Sequence, residues 1–326
     1  MGRSITSRER VERTIHFAEP DRVPFNFWMD RRRMAELETK YGAEFRVRHY
    51  GADLIESYGS MPPFPHAEYV VREGTAWMVR EAFDDWREAK NLPMPDPLQP
   101  SIYEMLNDHL RNFPHHAIIV NSPGVLTILE MMRRQENIYV DMLSYPEEVK
   151  DLFERISSVM AIIAEQVCQR DITALYIQDD IAYNNGLIVS IETIREFLLP
   201  YWKKVADVAH AYGKPVFFHS DGKVDAVYDL LYKDLGVCML NPLQPELQNI
   251  AQFKEEYNGK MGLYGGIATA RFHTMAPDEI RRHVFDLFEQ AGRGGGLIMS
   301  SHDIDYAVTE EQINAYVEAV KACRYV

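Results

Sequence analysis

Lys214-Pro-Val-Phe-Phe-His-Ser-Asp-Gly222 is a short apolar run that stops at polar, ligand-grade side chains, and Gly294-Gly-Gly-Leu-Ile-Met-Ser-Ser-His-Asp303 repeats the form. An apolar run this short, with Gly or Pro before it and polar groups after it, reads as a buried parallel strand. Residues two apart in an extended segment project the same way. His219 and Asp221 can therefore aim at one point, and His302 leaves the second strand in the same manner. Two imidazoles and a carboxylate converging at strand exits are a ligand set for a divalent metal, zinc above all, with a position left open for substrate.

The same form recurs along the chain. Candidate strands are Val23–Trp28, Ala52–Glu56, Ala117–Asn121, Ala174–Gln178, Pro215–Phe218, Val237–Leu240, Met261–Tyr264 and Leu297–Met299, and amphipathic helical patterns separate most of them. Strands alternating with helices imply parallel βαβ units, and eight such units can close into a (β/α)8 (TIM) barrel. Barrels of this kind routinely fill 326 residues undivided, so residues 1–326 are read as one domain. Thr6-Ser-Arg-Glu9 and Thr309-Glu-Glu-Gln312 both fit a helix capping box. One stretch breaks the alternation: Glu68–Arg80, turning near Glu73-Gly74, reads as a β-hairpin inserted after the second strand. It is either a wall over the pocket or an edge decoration.

A barrel enzyme builds its site from the loops that follow its strands. In order the exits offer Trp28, Glu56, Asn121-Ser122, Gln178-Asp179-Asp180, His219 with Asp221, Asn241 with Gln244, Gly265-Gly266, and Ser300-Ser301-His302-Asp303. Lys and Arg are missing from these groups, which favours a cation in the pocket. The metal candidates are His219, Asp221 and His302. Asp179, Asp180 and Glu56 are candidate catalytic carboxylates, and Trp28, Asn121, Gln178, Tyr183, Asn241 and Gln244 are candidate substrate contacts. Each has a plainer reading: a lone His219 could be a satisfied core histidine, Asp179-Asp180 could begin a turn, and Arg31-Arg-Arg33 could be a solvated helix face.

Bulk properties narrow the function. An apolar content of 46% is ordinary for a globular core, and a net charge of −14 argues against a nucleic-acid surface. No apolar stretch is long enough for a membrane span, and no secretory h-region opens the chain. Met1-Gly-Arg-Ser-Ile-Thr6 fits a loose myristoylation pattern, but Thr6 has a better use as a helix cap. The three cysteines form no CxxC pair, which points to a reducing cytoplasm rather than a disulfide framework. Walker A, GxGxxG and GxSxG patterns are absent, and Gly292-Arg-Gly-Gly-Gly296 precedes a strand rather than opening a helix.

The segments Ser7-Arg-Glu-Arg-Val11, Glu19-Pro-Asp-Arg-Val-Pro24, Pro200-Tyr201, Phe218-His-Ser-Asp-Gly222, Leu240-Asn-Pro-Leu-Gln-Pro245, Tyr264-Gly-Gly-Ile267 and Gly295-Gly296…Ser301-His302 together resemble the uroporphyrinogen decarboxylase superfamily, in order and over nearly the whole chain. The resemblance implies a (β/α)8 barrel with one of two chemistries. One branch decarboxylates uroporphyrinogen without a cofactor. The other is zinc-dependent and moves methyl groups between corrinoid proteins and thiols, or from methylated donors.

Local residues favour the second branch. The Arg-Gln-Ala-Gly-Arg-Tyr segment of true decarboxylases is replaced by Phe27-Trp-Met-Asp-Arg-Arg-Arg-Met34, and their Pro-Trp-Thr-Leu segment by Pro123-Gly-Val-Leu126. The methyltransferase branch holds zinc with a His-x-Cys exit and a later Cys. Here His219 matches the His, while Asp221 and His302 stand where the resemblance implies thiolates. That set is harder than a thiolate site and suits an oxygen-bearing substrate. The expectation is a metal-dependent methyltransferase acting on a small oxygen-bearing methylated substrate with a corrinoid carried by a partner protein, and a homodimer is the assembly expected. The alternatives are a cofactor-free carboxy-lyase acting on a tetrapyrrole, and a barrel that only binds a corrinoid or tetrapyrrole.

Overall fold

The computed structural model describes residues 5–58, 61–72 and 75–325. Strands β1 (Trp28–Met29), β2 (Leu54–Ser57), β3 (Ala117–Pro123), β4 (Ala174–Gln178), β5 (Val216–His219), β6 (Val237–Asn241), β7 (Gly262–Gly266) and β8 (Leu297–Ser300) follow in chain order. Among the described residues β2 to β8 form one parallel sheet in sequential order. Helices Glu104–Asn112, Pro146–Cys168, Leu199–Ala211, Ile250–Tyr257, Pro277–Ala291 and Glu310–Ala322 alternate with these strands. After β5 the helical connection shrinks to the short turns Asp225–Val227 and Leu230–Asp234. The architecture is the expected α/β barrel.

The sheet closes through a strand less regular than Val23–Trp28 suggests. Met299 donates to the Pro24 carbonyl and accepts from the Asn26 amide, both at 3.0 Å, while Asp53 donates to the Phe25 carbonyl at 2.9 Å. Regular pairing is confined to Trp28 and Met29, which lie parallel to Asp303 and Ile304. The interruption has a chemical cause. Pro24 has no amide hydrogen to give, and the Phe25 amide donates to the buried Asp53 carboxylate at 3.0 Å instead of to a ladder. Arg10 and Arg22 bind the same carboxylate, each at 2.7 Å, so this closure is tied to the N-terminal helix Ser7–Ile15. Thr6 caps that helix in the expected capping box, and Thr309 caps Glu310–Ala322 likewise. Met1–Ser4 of the myristoylation pattern lie outside the described residues.

The strand pattern has two destinations. Leu54, Ala117, Ile119, Ala174, Tyr176, Phe217, Met239, Tyr264 and Ile298 fill the barrel interior, with Val11 and Ile15 in the same cluster. The alternate residues, such as Ile55, Ile118, Leu175, Phe218 and Leu240, pack outward in the larger core with the helices. Period-two alternation thus divides apolar residues between two dry layers, which is why the strands read as nearly continuous apolar runs.

Glu68–Arg72 and Thr75–Arg80 pair antiparallel, while the turn at Glu73-Gly74 lies outside the described residues. Tyr69 donates to the Met131 carbonyl at 3.4 Å, and Arg134 to the Met78 carbonyl at 3.2 Å. The hairpin is braced against the chain following β3, and none of its described residues lines the strand-exit cavity. Among the described residues no helix is long and apolar enough to cross a membrane.

Candidate metal centre

The C-terminal ends of the strands surround a cavity of about 460 Å³, whose lining includes Trp28, Glu56, Gln178, His219, Asn241 and His302. A neighbouring cavity of about 580 Å³ is lined by Tyr183, Asp221, Gln244 and again His302. His302 and Asp303 line both cavities.

His219, Asp221 and His302 come together as the sequence suggested. One ligand-grade atom from each lies within 4.8 Å of the other two. His302 Nδ1 is 3.6 Å from Asp221 Oδ2, and the two imidazole centroids are 5.1 Å apart. Donors on a tetrahedral zinc at about 2.0–2.2 Å stand roughly 3.4 Å from one another, so modest side-chain rotation brings this set to that spacing. The turn that carries Asp221 depends on Gly222. Its φ is +86°, and a Cβ there would lie 2.5 Å from the Ala182 carbonyl oxygen.

The ring of His219 is oriented from beneath. Asn241 Nδ2 donates to the Tyr264 carbonyl at 2.7 Å, so Asn241 Oδ1 is the acceptor that faces Tyr176 Oη and, at 2.7 Å, His219 Nδ1. Two donors therefore meet one acceptor, and Nδ1 carries the hydrogen. In the neutral ring this leaves the lone pair on Nε2, toward the cavity, where a metal takes it. Asp221 Oδ1 is buried without a hydrogen-bond partner. A carboxylate oxygen stranded in this way is costly, and a cation would satisfy it. The residues fit a divalent ion with nitrogen and oxygen ligands.

The carboxylates predicted to be catalytic separate. Asp180 is half-exposed beside the triad, with Oδ1 3.6 Å from His219 Nε2 and accepting from the Asp221 amide at 2.8 Å. Asp179 points the other way and is wholly buried. Its oxygens accept from Trp202 Nε1 at 2.6 Å and from the amides of Leu126 and Thr127 at 3.2 and 2.6 Å, so it caps helix Val125–Glu130. Burial pushes its carboxyl up to about 6 against the pull of these donors. Gly124 is required beside it, because a Cβ there would lie 2.2 Å from the carboxylate carbon. Glu56 lines the cavity but is heavily engaged: Oε1 accepts from Asn26 at 3.1 Å, Trp28 Nε1 at 2.8 Å and Tyr264 Oη, and Oε2 from Tyr58 Oη at 2.9 Å.

The remaining candidates divide. Trp28 and Gln178 line the first cavity. Tyr183, exposed, and Gln244, which accepts from the Gly222 amide at 2.9 Å, line the second. Asn121 is buried, and neither of its amide atoms has a hydrogen-bond partner. Of the arginine run, Arg31 lines the first cavity, while Arg32 and Arg33 pair with Asp30 and Glu36.

Several residues were missed. Tyr176 and Tyr264 sit inside apolar runs and looked like core, yet their hydroxyls help order Asn241 and Glu56. Arg46 lies on the short helix Phe45–Arg48, with its guanidinium carbon 3.7 Å from the centre of the Trp28 ring. Glu130 accepts from Gln135 at 2.9 Å, and burial, reinforced by Asp179 and Asp180, pushes its carboxyl up to about 7.

A parallel α/β barrel with a metal-grade cluster at its strand exits defines the structural class. The model of the family described as uroporphyrinogen decarboxylase (URO-D) matches residues 67–323, and the chain belongs to that family. Its fold is similar to that of a methyltransferase from Methanosarcina mazei, with a TM-score of 0.76 at 14% identity, covering 98% of this chain and 99% of that one. It is also similar to a B12-independent methionine synthase from Shewanella sp. W3-18-1 in complex with selenomethionine, with a TM-score of 0.52 at 10% identity over 93% of each chain. No curated protein sequence matches it.

Proposed function

We propose that this protein is a metal-dependent methyltransferase that moves a methyl group from a small oxygen-bearing methylated substrate to a corrinoid carried by a partner protein. The observation that carries the reading is the convergence of His219, Asp221 and His302, one ligand-grade atom of each lying within 4.8 Å of the other two. A divalent ion bound by these three would act as a Lewis acid toward the substrate oxygen. The carbon–oxygen bond breaks with its electron pair going to oxygen. The reduced corrinoid would supply the electron pair that accepts the methyl carbon, and the oxygen takes up a proton.

The chain's own residues prepare that exchange. Asn241 and Tyr176 hold His219 in the tautomer that presents Nε2, while Glu56 fixes the Trp28 and Tyr58 side chains. The proton comes from solvent, and Asp180, half-exposed beside His219, is the carboxylate assigned to relaying it to the departing oxygen. The setting proposed is the cytoplasm, where Cys168, Cys238 and Cys323 stay as free thiols, with assembly as a homodimer.

A second reading, a cofactor-free carboxy-lyase acting on a tetrapyrrole, is favoured by the family model's own description. Methyl transfer from methoxylated donors to reduced cobalamin, run beside a uroporphyrinogen turnover assay, separates the two. Methyl transfer that is lost in His219→Ala is the expected result. Porphyrinogen decarboxylation that survives His219→Ala would replace the methyltransferase reading with the lyase one.

A further inference from the structure

We infer that the inserted hairpin is an association arm: the strand Glu68–Arg72 of one copy pairs antiparallel, about Val70, with the same strand of a second copy. This rests on the homodimer of the proposed function, to which it gives an interface, and not on the reaction assigned to the barrel. The hairpin has two strands, with Val70 opposite Trp77, and so two edges. Thr75–Arg80 is engaged, since its Met78 carbonyl accepts from Arg134 at 3.2 Å. Before the other strand, Ala67 donates to the Met131 carbonyl at 2.8 Å, but residues 68–72 make no backbone hydrogen bond outside the hairpin among the described residues. That strand lacks the devices that keep edges from pairing. Glu68-Tyr-Val-Val-Arg72 contains no Pro and no Lys, and Val71 is 73% exposed.

The order of residues along this edge names its occupant. Laid antiparallel against itself about Val70, the strand puts Glu68 of each copy opposite Arg72 of the other, and Tyr69 opposite Val71. Opposite charges, and an aromatic facing a β-branched residue, are favourable cross-strand pairs. A two-fold contact demands such self-complementarity, because one surface serves both sides. Glu68 already pairs with Arg80 across the hairpin, while Arg72 has no ion pair among the described residues. A chain of net charge −14 repels its own copies, so a contact between two of them needs local charges of opposite sign, which this edge supplies. Pairing also converts a two-stranded ribbon, marginal on its own, into a four-stranded sheet. Five residues a side bury less than a permanent dimer needs, so the assembly is one that dissociates on dilution.

The test is the oligomeric state of the full-length protein, by sedimentation equilibrium over a dilution series. Wild type is expected to be a dimer that dissociates on dilution, more readily at high salt. Exposed ion pairs are individually weak, but across a two-fold axis each reversal acts twice, so Arg72→Glu and Glu68→Lys should each weaken association roughly tenfold or more. Mixed in equal amounts, the two variants should associate within about threefold of wild type, because both facing pairs are again of opposite sign. A variant that had merely misfolded would not recover in this way. Val71→Pro, which takes an amide from the ladder, should weaken association roughly tenfold or more; should it loosen the hairpin itself, the mixing result decides. Wild-type protein that stays monomeric at the highest concentration reached, or a mixture that associates no better than either variant alone, would overturn the inference. A dimer indifferent to all three substitutions would keep the homodimer and overturn this interface. Methyl transfer, whose residues lie elsewhere, should be unchanged in each variant, and its absence from wild type would count against the methyltransferase reading alone.

Discussion

Replacing Asn241 by Ala tests the link between the barrel floor and the metal site. Asn241 Oδ1 accepts from His219 Nδ1 and Tyr176 Oη, and Nδ2 donates to the Tyr264 carbonyl. Without it, only the longer contact from Tyr176 Oη is left at Nδ1, and the ring is freer to present the wrong nitrogen to the cavity. Loss of such an orienting partner typically lowers metal affinity by about 10–100-fold, or roughly 1.4–2.7 kcal/mol. The buried hydroxyl, imidazole and carbonyl also lose a partner at about 1–3 kcal/mol apiece. Tyr176 Oη remains 3.2 Å from His219 Nδ1 and can recover part of this, so a net stability loss of about 2–4 kcal/mol is expected. Zinc affinity by chelator competition and urea denaturation of the metal-free protein measure the two effects separately. Asn241→Asp is the control, since it keeps the acceptor toward His219 but gives up the donor to Tyr264. It should be destabilised while binding zinc within about tenfold of wild type or more tightly. A folded Asn241→Ala protein with wild-type zinc affinity would refute the reasoning.

Three further outcomes follow from the geometry. Glu130 has its carboxyl raised to about 7 from an ordinary value of 4.5, so the folded state holds a proton that the unfolded chain releases first. Its stabilising contribution is complete below about 4.5 and is lost as pH rises through 7. Glu130→Gln should therefore match wild type in acid and exceed it above pH 7 by up to about 3 kcal/mol in urea titrations across this range. Gly222→Ala, with φ at +86° and the Ala182 carbonyl in the way, should cost about 2–5 kcal/mol of unfolding free energy and weaken zinc binding by displacing Asp221. Asp53→Asn strands the guanidinium groups of Arg10 and Arg22 at the barrel seam and should lower stability by about 3–5 kcal/mol without changing the metal stoichiometry of the folded fraction.

The barrel and the His219–Asp221–His302 cluster are legible because both are written in local pattern. Each apolar run ends where a strand leaves the barrel, and the spacing of His219 and Asp221 puts both on one side of an extended segment. The same rule separates Asp179 from Asp180: neighbours on an extended chain point oppositely, and one caps a buried helix while the other stands by His219. Asn241 was recognised as a polar exit residue, but its position beneath His219 depends on the packing of β5 beside β6, which no local pattern contains. Tyr176 and Tyr264 were hidden for a related reason, since a hydroxyl inside an apolar run looks like core until its partners are known. The first strand is shorter than its apolar run because Pro24 and the claim of Asp53 on the Phe25 amide break a ladder that apolar composition alone would continue.

Metal analysis of the purified protein with X-ray absorption at the zinc edge tests the central claim most directly. The account predicts one ion per chain, a coordination shell of nitrogen and oxygen at about 2.0–2.2 Å with no sulfur at about 2.3 Å, and loss of the ion in His219→Ala. Protein that takes up no divalent metal, or a shell containing sulfur, would contradict it.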